Sequence, residues 1–423
     1  MTKSELKDII KECYSEIMNE NNDIVEESLD INTVNEDTVL VEESEYTEYL
    51  YNSLIAETTN FDNMVAELVA VEEGAKEVAK AIKDKIVYII KKFIEFCKHV
   101  ITKIKEFISN VKDKIRSKFY TAKLEAALKS DKGLKNLNKF LATEKGKKYA
   151  ERFSEITKSY GEKIEARINK KSVNESTNLV NENFHFKLDK PTDILLMHIG
   201  DTCIDQFINN AYNIVKILDS VLYVTSDINS TIKDIVDEKD DYYGYGDRYI
   251  GKTFKEIVNS NKEFSRRIPS NIIDDLEGNL SDNGFITDFD SGMTRDFKYS
   301  RQGIDKITSD ILKEIDSSIN SASKALSKTE NISKQINLAI SKLNATKQNL
   351  DSMLNSINNT KLIVTIRSTV SFINKVLNVF TDDVLNSILS YVALCNDVLE
   401  YNRQTSDAIA SMIKSAEYVE DDE

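Results

Sequence analysis

The chain lacks tryptophan and holds only two prolines, Pro191 and Pro269, and twelve glycines in 423 residues. Neither glycine nor proline occurs between Ile304 and Glu423, or between Ala75 and Lys132. Proline removes a backbone donor and glycine adds backbone entropy to the unfolded chain. Long stretches without either therefore exclude frequent turns and predict long helices. Long helices build rods, bundles and membrane-binding surfaces more readily than enzyme pockets. Cysteine is scarce as well. Cys13, Cys97, Cys203 and Cys395 stand far apart, with neither zinc-site spacing nor the density of a disulfide frame. They are expected to be packed thiols in a reducing compartment. The N-terminal stretch MTKSELKDIIKECYSEI is charged and lacks the apolar core of a signal peptide. No run approaches the roughly 20 apolar residues of a membrane-spanning helix, so the chain is expected to be soluble.

What is present is a partition of charge. Residues 1–75 carry 3 basic and 20 acidic side chains, residues 76–171 carry 27 and 12, and residues 172–423 carry 26 and 39. A basic middle beside an acidic head implies mutual shielding or a surface for polyanions. The segments read as an acidic N-terminal segment (1–60), a basic amphipathic helical region (61–171), a polar linker (172–185), a helical region (186–237), an irregular Gly/Tyr-rich insertion (238–303) and a helical hairpin (304–423). The fold class is therefore all-α.

The clearest amphipathic pattern lies in the basic region. Val78, Ile82, Ile86, Ile89, Phe93, Phe96, Val100, Ile104, Phe107, Val111 and Ile115 recur every three or four residues, with lysines opposite. Gly133, Gly146 and Gly161 are expected to break the shorter helices downstream. Pro191-Thr192-Asp193 is expected to open another helix, continuing through Gly200 to about Asp237. In residues 304–357 two sets recur every seventh residue. One is Ile315, Ala322, Thr329, Ile336, Leu343, Leu350 and Ile357. The other is Ile304, Ile311, Ser318, Ala325, Ile332, Ala339, Thr346 and Met353. This is a coiled-coil seam with polar faults at Ser318, Thr329 and Thr346. Asn358-Asn359-Thr360 is the expected turn, with Thr360 as the next N-cap. The second arm is more apolar and needs cover on more than one side, from the basic helix or another subunit. The two arms are expected to form an antiparallel, coiled-coil-like hairpin.

Candidate chemistry is sparse. Gly246-Asp247-Arg248-Tyr249-Ile250-Gly251-Lys252-Thr253 has the spacing of a phosphate-binding loop, but Asp240-Asp241-Tyr242-Tyr243 before it is no buried strand. On a helix through Gly200, His198, Asp201 and Asp205 would share a face, yet no partner motif completes a metal site. His99 reads as a face residue and His185 as linker. No catalytic residue, cofactor site or metal site is singled out. The candidate polyanion-binding residues are Lys91, Lys92, Lys98, Lys103, Lys105, Lys112, Lys114 and Arg116. Three readings fit them: a packed helix with a solvated lysine face, non-specific contact with nucleic-acid phosphates, or binding to a membrane surface.

Tyr46-Thr47-Glu48 followed by Leu54-Ile55-Ala56-Glu57 resembles the capsid-targeting propeptides of internal head proteins in large tailed bacteriophages. In that family the segment ends in Leu or Ile, any residue, then Glu, and the prohead protease cuts after the Glu. The resemblance implies recognition of Ile55, Ala56 and Glu57 and cleavage before Thr58. The same triplet pattern occurs at Ile10, Ile24, Leu40, Ile104 and Leu312. Residues 1–57 hold 3 basic and 16 acidic side chains, so their removal would unshield the basic helix. The resemblance implies a non-enzymatic structural or internal virion protein. Its partners would be other virion proteins or copies of itself, with possible contact to packaged DNA. A membrane-active helical-hairpin protein and a nucleotide-binding protein using Gly246–Thr253 are the alternatives.

Overall fold

The stretches without glycine or proline fold as helices. The computed structural model describes residues 75–116, 119–170, 193–200, 202–236, 249–268, 272–273, 297–303, 309–356 and 360–419. In chain order the helices are α1 (Ala75–Arg116), α2 (Phe119–Leu128), α3 (Asp131–Ala142) and α4 (Glu144–Lys170), then strand β1 (Asp193–Ile199). Next come α5 (Thr202–Val236), α6 (Phe254–Ser260), α7 (Lys262–Arg267) and strand β2 (Phe297–Gly303). The chain ends in α8 (Ser309–Asn355), α9 (Thr360–Val379), a π-helical turn (Phe380–Asn386) and α10 (Ser387–Ala416). Helix makes up 88% of the described residues and the sheet among them has two strands, so the all-α class stands. They belong to one compact unit, Leu54–Glu423.

The predicted seam of α8 is real. Ile311, Ile315, Ser318, Thr329, Ile332, Ile336, Ala339, Leu343, Thr346, Leu350 and Met353 are all buried. The main partner along its length is α5. There Phe207, Ala211, Ile214, Leu218, Val221, Thr225, Ile228 and Ile232 alternate steps of four and three residues and are likewise buried. Three polar contacts set the pairing. His198 Nε2, on β1 just before α5, lies 3.5 Å from Ser321 Oγ, Lys328 Nζ donates to Asp205 Oδ2 at 2.8 Å, and Asn349 Nδ2 donates to Thr225 Oγ1 at 3.3 Å. Lys342 pairs with Asp219 in the same register. Partners stand 123 or 124 residues apart throughout, so α5 and α8 run parallel.

The other flank of α8 is filled by α1. Lys83 Nζ meets Asn355 Oδ1 at 3.3 Å at one end, while α2, next in the chain after α1, joins Ile311 and Ile315 at the other. Helix α1 is thus antiparallel to α8. The chain reverses between Asn355 and Thr360 as expected, although Asn358 and Asn359 lie outside the described residues. The two arms meet near their free ends, where Asn402 Nδ2 donates to Ser318 Oγ at 3.0 Å. Ile409 and Ile413 there join the cluster around Ile311 and Ile315. The second arm is covered largely by the basic region, as its apolar composition requires: α10 packs on α2, α3, α4 and α1. The π turn carries an extra residue, which rotates the faces of α10 relative to those of α9 by roughly 100°. Neighbours change across it, from α5 and α6 around α9 to α2, α3 and α4 around α10, while α1 reaches both.

Three expectations require correction. The helix expected from Pro191-Thr192-Asp193 is not there at Asp193; β1 occupies Asp193–Ile199 and pairs antiparallel with β2, Asp193 opposite Gly303 and Ile199 opposite Phe297, while Pro191 and Thr192 lie outside the described residues. Five successive positions from Asp193 to Met197 are buried, so β1 is covered on both faces and reads as an unbroken apolar run. Second, the 238–303 segment is less irregular than its glycines suggest, because it contains α6, α7 and β2. Third, helix breaks fall at Ser130 and Thr143, not at the glycines. Ser130 Oγ accepts from Gly133 N at 3.0 Å and Thr143 Oγ1 from Gly146 N at 3.0 Å. Each glycine lies in the first turn, where a Cβ would meet Ile413 O at 2.6 Å (Gly133) or Phe140 O at 1.9 Å (Gly146). Gly161 sits inside α4 and is buried.

In addition, Leu362–Ala416 is long and apolar enough to cross a membrane, with a best-window mean hydropathy of 1.2, contrary to the sequence expectation. Of that window, 67% is buried within the fold. Cys97, Cys203 and Cys395 are unbridged and buried, and burial pushes the Cys97 thiol up, away from reactivity.

Among the described residues strand β1 has a single sheet neighbour, and α10 binds its other edge and the residue that follows it. Leu195 N donates to Tyr401 Oη at 3.1 Å, and Tyr391 Oη donates to Gly200 O at 2.7 Å. Both tyrosines are buried. Tyr401→Phe strands a buried N–H and should destabilise the fold by about 1–3 kcal/mol. Denaturant unfolding of the variant and the parent would show this; equal midpoints would remove the tyrosine's role.

Candidate functional site

Helix α1 has two unlike faces. Ile82, Ile86, Ile89, Phe93, Phe96, Val100, Ile104 and Phe107 are buried, with Phe93 stacked at a tilt on Phe380, ring centroids 5.9 Å apart. The opposite face is wet. Lys91, Lys98 and Lys105 are exposed there at seven-residue spacing, roughly 10 Å per step along the axis. Among the described residues none of these three side chains is bonded to a carboxylate. Their neighbours differ: Lys92 pairs with Glu95 at 3.1 Å and Lys103 with Glu106 at 3.0 Å. Such exposed pairs add little stability and cancel the lysine charge locally. The eight predicted cations thus separate into an open row of three, two that are paired, and three whose side chains lie outside the described residues: Lys112, Lys114 and Arg116. All eight stand on α1, which has 12 basic and 5 acidic residues.

The loop with phosphate-loop spacing is described from Tyr249 onward; Gly246, Asp247 and Arg248 lie outside the described residues. Its glycine, Gly251, has φ 78°, the left-handed conformation that a tight turn needs. Lys252 N donates to Tyr249 O at 3.2 Å, Thr253 N to Glu256 Oε2 at 2.8 Å, and Phe254 N to Ser368 Oγ at 2.8 Å. Among the described residues, the N–H groups of Lys252, Thr253 and Phe254 are already donated within the fold. Thr365 Oγ1, from α9, contacts Tyr249 O at 2.6 Å and Lys252 O at 3.0 Å, and Tyr249 Oη donates to Asp227 Oδ2 at 2.6 Å. The segment acts as a cap and anchor. Thr253 and Glu256 form a capping box at the start of α6, and the N–H and hydroxyl of Thr253 hold the Glu256 carboxyl below its usual range.

The histidine grouping is not assembled. His198 is on β1 and Asp205 on α5, where it holds Lys328; Gly200 separates the two elements. Asp201 and His185 lie outside the described residues. Among the described residues no group of three or more His, Cys, Asp or Glu side chains could hold a metal ion. The processing residues Ile55, Ala56 and Glu57 also lie outside the described residues.

Two clefts were not anticipated from the sequence. One, of about 340 Å³, lies between the β-ribbon and α8 and is lined by His198, Lys298, Glu314 and Asn402. The other, of about 360 Å³, lies between α6 and α9 and is lined by Lys255, Arg367 and Lys375 among others. The signal for the second was the step of four from Arg367 to Ser371 to Lys375 across an apolar helix.

No protein-family model, curated protein or solved structure matches the chain.

The capping role of the loop gives a clear expectation. Thr253→Ala should cost about 1 kcal/mol of stability, whereas Lys252→Ala should leave stability and ligand binding unchanged. Micromolar binding of ATP or GTP that disappears in the Lys252 variant would contradict this.

Proposed function

We propose that the chain is a non-enzymatic structural or internal protein of a large tailed phage, which assembles through helical packing and contacts packaged DNA through the wet face of α1. The observation that supports this reading is the exposed row of Lys91, Lys98 and Lys105 on a helix whose apolar face is consumed by the bundle. Evenly spaced lysines without interleaved aromatics suit phosphates and not bases, so the contact is non-specific. The protein would act in the virion, after assembly in the host cytoplasm. Residues 1–57, with 3 basic and 16 acidic side chains, would shield this face until cleavage after Glu57.

A second reading, membrane activity, draws on the apolar stretch Leu362–Ala416. It requires that stretch to leave the bundle.

DNA binding by the full chain, by a chain beginning at Thr58 and by the K91Q/K98Q/K105Q variant would test the proposal. Affinity should fall linearly in log–log terms with salt. The triple variant should flatten that slope by about 2–3, and the chain from Thr58 should bind more tightly. Equal slopes in parent and triple variant would refute the assigned face. Binding to anionic vesicles without binding to DNA would favour the membrane reading.

A further inference from the structure

The cleft between the β-ribbon and α8 combines an apolar base with unlike charges. Strand pairing sets His198 opposite Lys298 and Leu196 opposite Ser300, so these four side chains share one face of the ribbon. That face is turned to α8. Ser300 Oγ donates to Glu314 Oε2 at 3.2 Å, and His198 Nε2 lies 3.5 Å from Ser321 Oγ. The two contacts stand seven residues apart on α8, roughly 10 Å along its axis. The cleft beside them, about 340 Å³, is also lined by Asn402 of α10 and by the core residues Leu196 and Ile315. Its volume is in the range of small-molecule sites.

The polar groups leave capacity for a ligand. Lys298 is exposed and, among the described residues, pairs with no carboxylate, Glu314 included. Glu314 accepts from Ser300 through one oxygen, which leaves Oε1 open. On the strand, Lys298 stands two residues, about 7 Å, from the serine that holds this carboxylate. Asn402 is buried, at 3% exposure, and its Nδ2 is committed to Ser318 Oγ at 3.0 Å. Its Oδ1 has no partner among the described residues. The cleft thus offers one cation and, a short way off, two open acceptor oxygens.

A simple anion would meet Glu314 there, and a simple cation would meet Lys298. A zwitterion satisfies both, with its carboxylate on Lys298 and its ammonium group on Glu314 Oε1 and Asn402 Oδ1. An α-amino acid hydrogen-bonded at each end bridges roughly 8 Å between its two partners, which matches the offset along the strand. Its side chain would then cover Leu196 and Ile315, which favours an aliphatic group. We propose that this cleft binds a free α-amino acid with an aliphatic side chain, Lys298 holding the carboxylate and Glu314 with Asn402 the ammonium group. The proposal does not depend on the DNA-binding role of α1.

Calorimetry and thermal unfolding of the full chain with L-leucine, N-acetyl-L-leucine and L-leucinamide test it. The second probe keeps the carboxylate but has no ammonium group; the third keeps the ammonium group but has no carboxylate. L-Leucine should bind saturably and raise Tm as its concentration rises, and each single-ended probe should bind at least tenfold more weakly. Lys298→Gln and Glu314→Gln should each weaken L-leucine binding at least tenfold, with far-UV circular dichroism unchanged. Absence of saturable L-leucine binding by the parent chain would overturn the site, whether or not a variant folds. So would undiminished affinity in both variants, or single-ended probes that bind as tightly as L-leucine. Saturable binding of L-leucyl-L-leucine, with no response to L-leucine, would replace the amino acid with a peptide and refute the proposal as stated.

Discussion

The parallel register between α5 and α8 is the constraint on which the rest of the structure depends. Their apolar stripes supply the adhesion, since burial of each large aliphatic side chain is worth about 1.5–3 kcal/mol. A stripe alone does not choose a direction or a register. The cross-links at a separation of 123 or 124 residues do: Asp205 with Lys328, Asp219 with Lys342 and Thr225 with Asn349, continued by His198 of β1 with Ser321. Individually such half-exposed contacts contribute under about 1 kcal/mol. A slip by one heptad would displace all of them together and open voids along the seam, so their value lies in selection among alternatives. With α5 parallel to α8, α8 must present its remaining apolar surface elsewhere. The antiparallel α1 takes it, which is why the α1 lysines end on the outside.

The second constraint is the treatment of polar groups within this core. Ser318, a fault in the seam, receives Asn402 Nδ2 from α10. Thr346 returns its hydroxyl to Lys342 O at 3.0 Å, and Thr381 in the π turn returns its own to Leu377 O at 2.8 Å. Arg167 of α4 pairs with Asp397 of α10, whose side chain is 12% exposed, and so fastens the basic region to the C-terminal arm. The strand edge that two-stranded pairing leaves open is satisfied by two tyrosine hydroxyls. Buried polar groups without partners cost free energy, and these arrangements place a donor or acceptor at Ser318, Thr346, Thr381 and Asp397. The same groups therefore tie α10 to β1, α4 and α8 at defined positions.

Much of this was legible in the sequence because helices record burial with a period of their own. Each described position of the two heptad sets in α8 is buried, and so is each described position of the α1 stripe. The reversal near Thr360 was visible for the same reason. Strand β1 was not, because Ile194, Leu195, Leu196 and Met197 form a continuous apolar run that either element accommodates, and β2, its partner, is about a hundred residues away and mostly polar. The glycines misled for another reason: Gly133 and Gly146 allow backbones to approach closely, while the side chains of Ser130 and Thr143 end and start the helices. The lysine face of α1 could be read locally, since one helix contains all of it. The α6–α9 cleft could not, because it exists only where residues 253–255 meet residues 364–375.

The accessible surfaces are set by the same energetics. For α1 to lie on a membrane, the eight large stripe residues Ile82, Ile86, Ile89, Phe93, Phe96, Val100, Ile104 and Phe107, with the other buried apolar side chains of the helix, would have to leave the core. At about 1.5–3 kcal/mol each, that is at least 10 kcal/mol, comparable with the whole stability of an ordinary domain, about 5–15 kcal/mol. Release of α9 and α10 exposes still more, because that stretch contacts nearly every other helix. Membrane insertion by either element therefore amounts to unfolding the unit, with the lipid contributing the compensating burial. Contact through the lysine face requires no such opening. It uses side chains already in solvent, and its free energy comes from displaced counterions and not from the core. The bundle can thus stay intact while its charged face engages a polyanion, and the strength of that engagement is adjustable by neighbouring charge without any change in fold.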